Sequence, residues 1–235
     1  MPETFRPSGG RSVMEDRSEP NDSLDFFPTP PWATRALIEH VLMPEYALAP
    51  EIARMRLRRM AAWDPACGMG DMSRPLAEYF GSVLASDIFD YGIGAKVTDF
   101  LFGEPTWPAD FIVTNPPFKS AERFIQQAFA VPGWKGIAML VRTSFLESVG
   151  RYEKLFKVAP PSIVAQFTER VPMVKGRLTA TGSTATAYCW LVWLNDGAEG
   201  TRFTWIQPCR RSLERPGDYP SQSEPSTASP EELAC

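Results

Sequence analysis

Apolar residues bunch into short runs along the chain, separated by polar or glycine-rich stretches. "MAAWD", "SVLASD", "FIVTN" and "GIAMLVR" are too short for helices and predict buried strands. Between and before them the spacing changes to that of a helix. "WATRALIEHVLM" carries apolar residues at Trp32, Ala36, Leu37, Val41 and Leu42, which predicts an amphipathic helix after a Thr29-Pro30 start. "MSRPLAEYF", "AERFIQQAFA" and "VGRYEKLFKVA" predict three more helices. Late in the chain "SIVAQF", "TAYCWLVWL" and "FTWIQ" predict strands, with no helix between the last two. Strands alternating with helices imply right-handed crossovers and a mostly parallel sheet. The final pair implies an antiparallel strand at one edge. The expected architecture is a doubly wound α/β domain on a seven-stranded sheet.

Composition narrows this picture. The chain has 235 residues, 44% of them apolar, enough for one well-packed domain and scarcely two. No segment resembles a signal peptide, and no apolar run approaches the roughly 20 residues a membrane span needs. Four scattered cysteines and the single histidine, His40, argue against a metal site and for a reduced, cytoplasmic setting. The net charge of −4 divides unevenly: residues 1–22 carry −2, residues 211–235 carry −3, and the remainder carries +1. Both ends are rich in Pro, Ser and Glu, so disordered tails are expected over 1–22 and 211–235, flanking a domain over 23–210. Its near-neutral charge neither demands nor excludes nucleic acid. Arg54, Arg56, Arg58 and Arg59 are expected to solvate a helix.

In open α/β sheets, ligands sit outside the carboxyl ends of the strands. The first such end is "WDPACGMGD", Trp63 to Asp71, where Gly68 and Gly70 permit a tight turn and close approach to the backbone. It is no phosphate loop, because Lys and Ser/Thr do not follow the last glycine, and Ser73 breaks the dinucleotide pattern. Asp64, before the turn, would repel phosphate but could hold an ammonium group. Asp87 closes the next strand 17 residues after Gly70, close to the roughly 20-residue interval at which an acid bonds ribose hydroxyls. Asp99 and Phe100 pair a carboxylate, able to accept from an adenine amino group, with a ring to pack on it. Alone, Asp87 reads as a helix cap and Asp99-Phe100 is unremarkable, whereas the glycine turn already favours a ligand over an ordinary strand-to-helix turn. Then "VTNPPFKS" ends the third strand in two prolines, which donate no N–H and fix φ. Asn115 there stands 51 positions after Asp64.

Taken in order, "DPACGMG", "SDI", "DF" and "NPPF" resemble the motifs of the S-adenosylmethionine-dependent amino-methyltransferases. "FFPTP" resembles the segment that covers the cofactor in the adenine-N6 group. The resemblance covers residues 24–146 by motif and extends to about 206 by strand pattern. It is nearest to small adenine-specific DNA methyltransferases of phages and prophages, whose downstream part "TERVPMVKGRLTATGSTATAYCWLVW" also resembles. It implies a Rossmann-like class I methyltransferase fold, S-adenosylmethionine as cofactor and DNA as partner. By position, Asp64, Ala66, Cys67, Gly68 and Gly70 would shape the methionine pocket. Asp87 and Ile88 would hold the ribose and flank the adenine, with Asp99 and Phe100 at its amino group. Phe27, Thr29 and Pro30 would close over the cofactor. Cys67 would be packing, since no nucleophile is needed.

The chemistry agrees with Asn-Pro-Pro-Phe. An aromatic amine is a poor nucleophile because its lone pair is delocalised into the ring. Two acceptors aimed at its N–H bonds, the Asn115 side-chain oxygen and the Pro116 carbonyl, would favour the sp³ geometry that attacks. Pro116 and Pro117 would hold those acceptors still, and Phe118 would offer a face to an extruded base. Adenine N6, cytosine N4, guanine N2 in RNA and a glutamine amide are all planar NH₂ groups. "FFPTP" and the small size favour adenine in DNA. A catalytically silent binding module of the same fold is the alternative of a different class. No separate recognition domain fits, so Lys119 and Arg123 beside the turn, Arg170, Lys175 and Arg177 in the late loop, or a separate specificity partner, would supply DNA contact.

Overall fold

The computed structural model describes residues 25–46, 49–181, 184–197 and 199–219. The tail expected over 1–22 and most of the one expected over 211–235 lie outside them. Eight strands form one sheet: β1 (Ala61–Asp64), β2 (Ser82–Asp87), β3 (Lys96–Val97), β4 (Phe111–Thr114), β5 (Gly136–Arg142), β6 (Ile163–Phe167), β7 (Tyr188–Leu194) and β8 (Arg202–Ile206). Their order is β3-β2-β1-β4-β5-β7-β6-β8. All seven strands read from the sequence are there, and the eighth, β3, is two residues pairing with the end of β2. That strand is too short and exposed to leave an apolar signature.

The antiparallel strand is β7, and it lies inside the sheet, bonded antiparallel to both β5 and β6. The edge belongs to β8, which runs parallel to β6. Chain order suggested a hairpin of β7 and β8; the chain instead passes over β6. β7 shows why it is interior, since all but its last residue are buried.

Alternate residues of the central strands feed two cores, as the two-residue period requires. Phe111, Val113, Ala138, Leu140, Trp190 and Val192 pack on one face with Trp32, Leu37, Leu57 and Leu76. Those last four stand on or beside α1 (Pro31–Leu37), α3 (Pro50–Leu57) and α4 (Ser73–Ala77). Ile112, Ile137, Met139, Val141, Leu191 and Trp193 pack on the other with Phe124 and Ile125 of α5 (Ala121–Ala128).

α1 starts with proline at its first helical position, where no N–H is missed. It continues through a wider π-type turn, Ile38–Leu42, into α2 (Met43–Tyr46). The predicted apolar stripe of this segment is buried, but so are Thr34 and Arg35, because further chain covers the helix. That cover includes α7 (Arg210–Leu213), after α6 (Val149–Arg151) in order. Arg35 donates to the Leu213 carbonyl and to both oxygens of Asp218. Residues 211–219, expected in a tail, thus pack on the domain. The arginines of α3 and its end are exposed, as read. Among the described residues no helix is long and apolar enough to cross a membrane.

Candidate active site

The strand order reverses between β1 and β4, and the carboxyl ends of β1, β2, β4 and β5 converge there. Asp64 ends β1. It accepts hydrogen bonds from Thr114 Oγ1, at the end of β4, and from Ser73 Oγ of α4, each at 2.9 Å. Burial pushes its carboxyl up to about 7; the two hydroxyls and the Ala66 amide pull the other way without cancelling it.

The glycine turn beyond Asp64 is tied to β2. Cys67 N donates to the Ser86 carbonyl at 3.0 Å, and Gly68 N to Asp87 Oδ2 at 2.9 Å. Gly68 has φ +51°, and a β-carbon there would stand 2.6 Å from the Phe26 ring. Only glycine meets both conditions. Asp87 also accepts from Phe89 N at 3.1 Å, which uses two of its roughly four lone-pair positions.

Beside this turn lies a cavity of about 220 Å³. Of the residues assigned to cofactor from sequence, Phe27, Thr29, Asp64, Ala66, Cys67, Gly68, Asp87, Ile88, Asp99 and Phe100 line it. Pro30 and Gly70 do not. Pro30 precedes α1 and its carbonyl accepts from Ala33 N, while Gly70, at φ +79°, closes the turn by donating to the Cys67 carbonyl. Phe26 of the "FFPTP" segment lines it too, and Asp25, Asp71, Tyr91, Ser120 and Phe124 line it unannounced. The Phe26 ring packs on Tyr91 at 5.0 Å, a contact between distant segments that no spacing reveals. Among the described residues no cluster of His, Cys, Asp or Glu could hold a metal ion.

A strap of residues 25–29 crosses the site and locks the Asn-Pro-Pro-Phe turn. Phe118 N donates to Asp25 Oδ2 at 2.6 Å, and Asn115 Nδ2 donates to the Phe27 carbonyl at 2.9 Å. Gly176 N donates to the Phe26 carbonyl at 2.9 Å, joining the late loop to the same strap. Asn115 Oδ1 is buried and has no hydrogen-bond partner. Asn115 and Pro117 face the first cavity, whereas Pro116 and Phe118 face a second, of about 170 Å³. Asn-Pro-Pro-Phe is the wall between the two.

The ring of Phe118 is not bare. The guanidinium of Arg142, at the end of β5, lies 3.8 Å over it, and the Phe27 ring packs 4.9 Å away. Arg142 went unremarked in the sequence, although the strand-end rule that found Asp64 and Asp87 applies to it equally. The basic residues singled out lie outside both cavities. Lys119, Arg123 and Arg177 are exposed, Lys175 is half-buried, and exposed Arg170 donates to the Ala185 carbonyl.

No protein-family model matches the sequence, and no curated protein matches it. Solved structures do. A methyltransferase subunit of a type I restriction-modification system from Streptococcus thermophilus matches with TM-score 0.52 and 11% identity over 75% of this chain and 46% of its own. A protein from Vibrio vulnificus, assigned as the modification subunit of a type I restriction enzyme, matches with TM-score 0.52 and 15% identity over 77% and 47%. One from Listeria monocytogenes, assigned to the class I S-adenosylmethionine-dependent methyltransferases, matches with TM-score 0.50 and 12% identity over 74% and 64%. The fold is that of the class I methyltransferases. The chain spans less than two thirds of each of these relatives.

Proposed function

We propose that this protein transfers a methyl group from S-adenosylmethionine to the exocyclic N6 amine of adenine in DNA. One observation carries the reading: Asn115 Oδ1 is a buried acceptor with no partner, held in the wall between two cavities. A buried oxygen in that condition costs about 1–3 kcal/mol unless something donates to it.

The first cavity suits the cofactor by its chemistry. Asp87 keeps lone pairs free for a ribose diol beyond the two backbone amides it already serves. Asp99 Oδ1 accepts from Leu101 N, which leaves Oδ2 for an adenine amino group beside the Phe100 ring. Asp64, whose oxygens also accept from Ser73 and Thr114, supplies the carboxyl toward which an ammonium would orient. When bound, S-adenosylmethionine supplies an electrophilic methyl group.

The chain's own groups then act on the acceptor. Asn115 Oδ1 and the Pro116 carbonyl accept from the two N–H bonds of the amine and favour its sp³ form. The Pro117 carbonyl already accepts from Ser120 N at 2.9 Å. Phe27 fixes which end of the Asn115 amide faces the substrate. Asn115 is no base at neutral pH, so the proton leaves to solvent after attack. Burial pushes the Cys67 thiol up to about 12, which keeps it out of the chemistry as a nucleophile.

The test is incubation of the purified protein with tritiated S-adenosylmethionine and unmethylated DNA, RNA and protein extract in parallel, followed by digestion and mass identification of the modified unit. N6-methyladenine in DNA is expected. Label in guanine of RNA or in glutamine would overturn the substrate and keep the amine chemistry. Cofactor binding with no label in any polymer would point to a silent module of this fold.

A further inference from the structure

Of the buried side-chain polar atoms without a partner among the described residues, one belongs to the Asn-Pro-Pro-Phe wall and one to the residue stacked on its Phe118. One is Asn115 Oδ1, an acceptor. The other is Arg142 Nε, a donor. The two have opposite hydrogen-bonding character and belong to the ends of neighbouring strands, β4 and β5.

Arg142 covers the Phe118 ring at a distance typical of stacking, 3.8 Å. A cation over a ring is a modest attraction, and leaving a buried guanidinium N–H without an acceptor opposes it. Its charge and a hydrogen bond to the Tyr188 hydroxyl counter part of the rise that burial gives that group, so the guanidinium is engaged there and only its Nε–H is left over. In the same cavity Arg151 is already engaged, donating to the Phe145 carbonyl and lying 4.3 Å over its ring. The donor left over is on Arg142.

We infer that Arg142 is a specificity-determining residue of the acceptor cavity. Its guanidinium covers Phe118 until a base takes that face, and its Nε–H then bonds the ring nitrogen beside the base's amino group. This rests on the amine-transfer reading above. An acceptor from Asn115 and a donor from Arg142 meeting one base would match adenine N6 with N1 or N7, and cytosine N4 with N3. They oppose the pairing edge of guanine, where N2 stands beside a second N–H donor.

The test compares binding of a short fluorescein-labelled oligodeoxyadenosine with its 1-deaza and 7-deaza analogues, by anisotropy in saturating S-adenosylhomocysteine. In the wild-type protein one of the two analogues should bind about tenfold or more weakly, the loss expected for one hydrogen bond to a charged donor. In Arg142→Met, the natural oligonucleotide should lose as much, and the analogue should bind no worse than it. A penalty that persists in Arg142→Met, or no penalty for either analogue in the wild type, overturns the role of Arg142 while label in adenine leaves the amine transfer standing. Failure of the wild type both to bind the oligonucleotide and to label DNA overturns the two together. The wild-type comparison stands by itself should the variant fail to fold.

Discussion

Asn115 Nδ2 donates to the backbone carbonyl of Phe27 at 2.9 Å, joining residues 88 positions apart. The bond decides which end of the amide is free, and so converts an ambiguous side chain into a directed acceptor. Replacing Asn115 with alanine should lower methyl transfer by about a hundredfold to a thousandfold, the usual loss for one preorganised group that meets the developing charge. Cofactor affinity should stay within a few-fold, since the carboxylates proposed to hold it, Asp64, Asp87 and Asp99, stand at the ends of β1 and β2 and after β3, not on the Asn115 turn. Single-turnover rates and equilibrium dialysis with S-adenosylhomocysteine measure the two separately. Loss of both would show that the division between the cavities is wrong.

The late loop offers a second test. Gly176 N is bonded to the Phe26 carbonyl, so this loop is held against the strap that locks the Asn-Pro-Pro-Phe turn. Arg177 next to it is exposed. If the loop meets DNA phosphates, changing Lys175 and Arg177 together to alanine should reduce the salt slope of binding by about one to two. Affinity should fall on every sequence alike, because phosphate contacts carry no base information. An unchanged slope would remove the loop from the DNA interface.

The strand ends were legible in the sequence because the chemistry there is local. Asp64, Asp87 and Asn115 each stand at or just past the end of a short strand-like run, and glycine or proline marks the turn after Asp64 and Asn115. What the sequence hid is contact between segments. Asp25 holding Phe118, Phe26 packing on Tyr91, and Arg142 over Phe118 all join residues with no fixed spacing. β7 shows the same limit: its buried run identifies a strand, but only the packing of both its neighbours sets it between β5 and β6. The boundary at 210 failed to foresee the packing of 211–219 for another reason. Polar composition there conceals two anchors, Leu213, which is buried, and Asp218, which neutralises a buried arginine.

That arginine makes the boundary testable. Arg35 is 3% exposed and donates to both oxygens of Glu78, both oxygens of Asp218 and the Leu213 carbonyl. Burial works against its charge, yet the bonds to Asp218 and Glu78 outweigh it and hold the guanidinium firmly charged. A chain ending at Arg210 leaves Arg35 without two of its three partners. It should lose about 3–5 kcal/mol, the cost of breaking a buried pair from one side. Arg35→Met should also destabilise, and the two changes together should cost less than their sum, since they remove the same contacts. Urea unfolding measures all three. A chain ending at Arg210 with unchanged stability would show that 211–219 contribute nothing to the domain.

Asp64 ties the two motif ends together and gives the fold a defined response to pH. Its pKa is about 7 in the folded protein, raised by burial, against roughly 4 in the unfolded chain. The folded state therefore holds the proton where the unfolded state has released it. The sign follows: its contribution is fully present below about pH 4, declines as pH rises toward 7, and is gone above that. The nearby Asp87 adds to the shift by its negative charge, and the hydroxyls of Ser73 and Thr114 resist it. Asp64→Asn cannot titrate and can still bond both hydroxyls, accepting from one and donating to the other. Relative to this variant, the wild-type unfolding midpoint should fall steadily between about pH 4 and pH 7 and stay level above. Other carboxylates are common to the two proteins and cancel in the difference. A gap between the midpoints that stays constant across this window would mean that Asp64 titrates as an ordinary carboxylate, and that burial at the end of β1 does not set its charge.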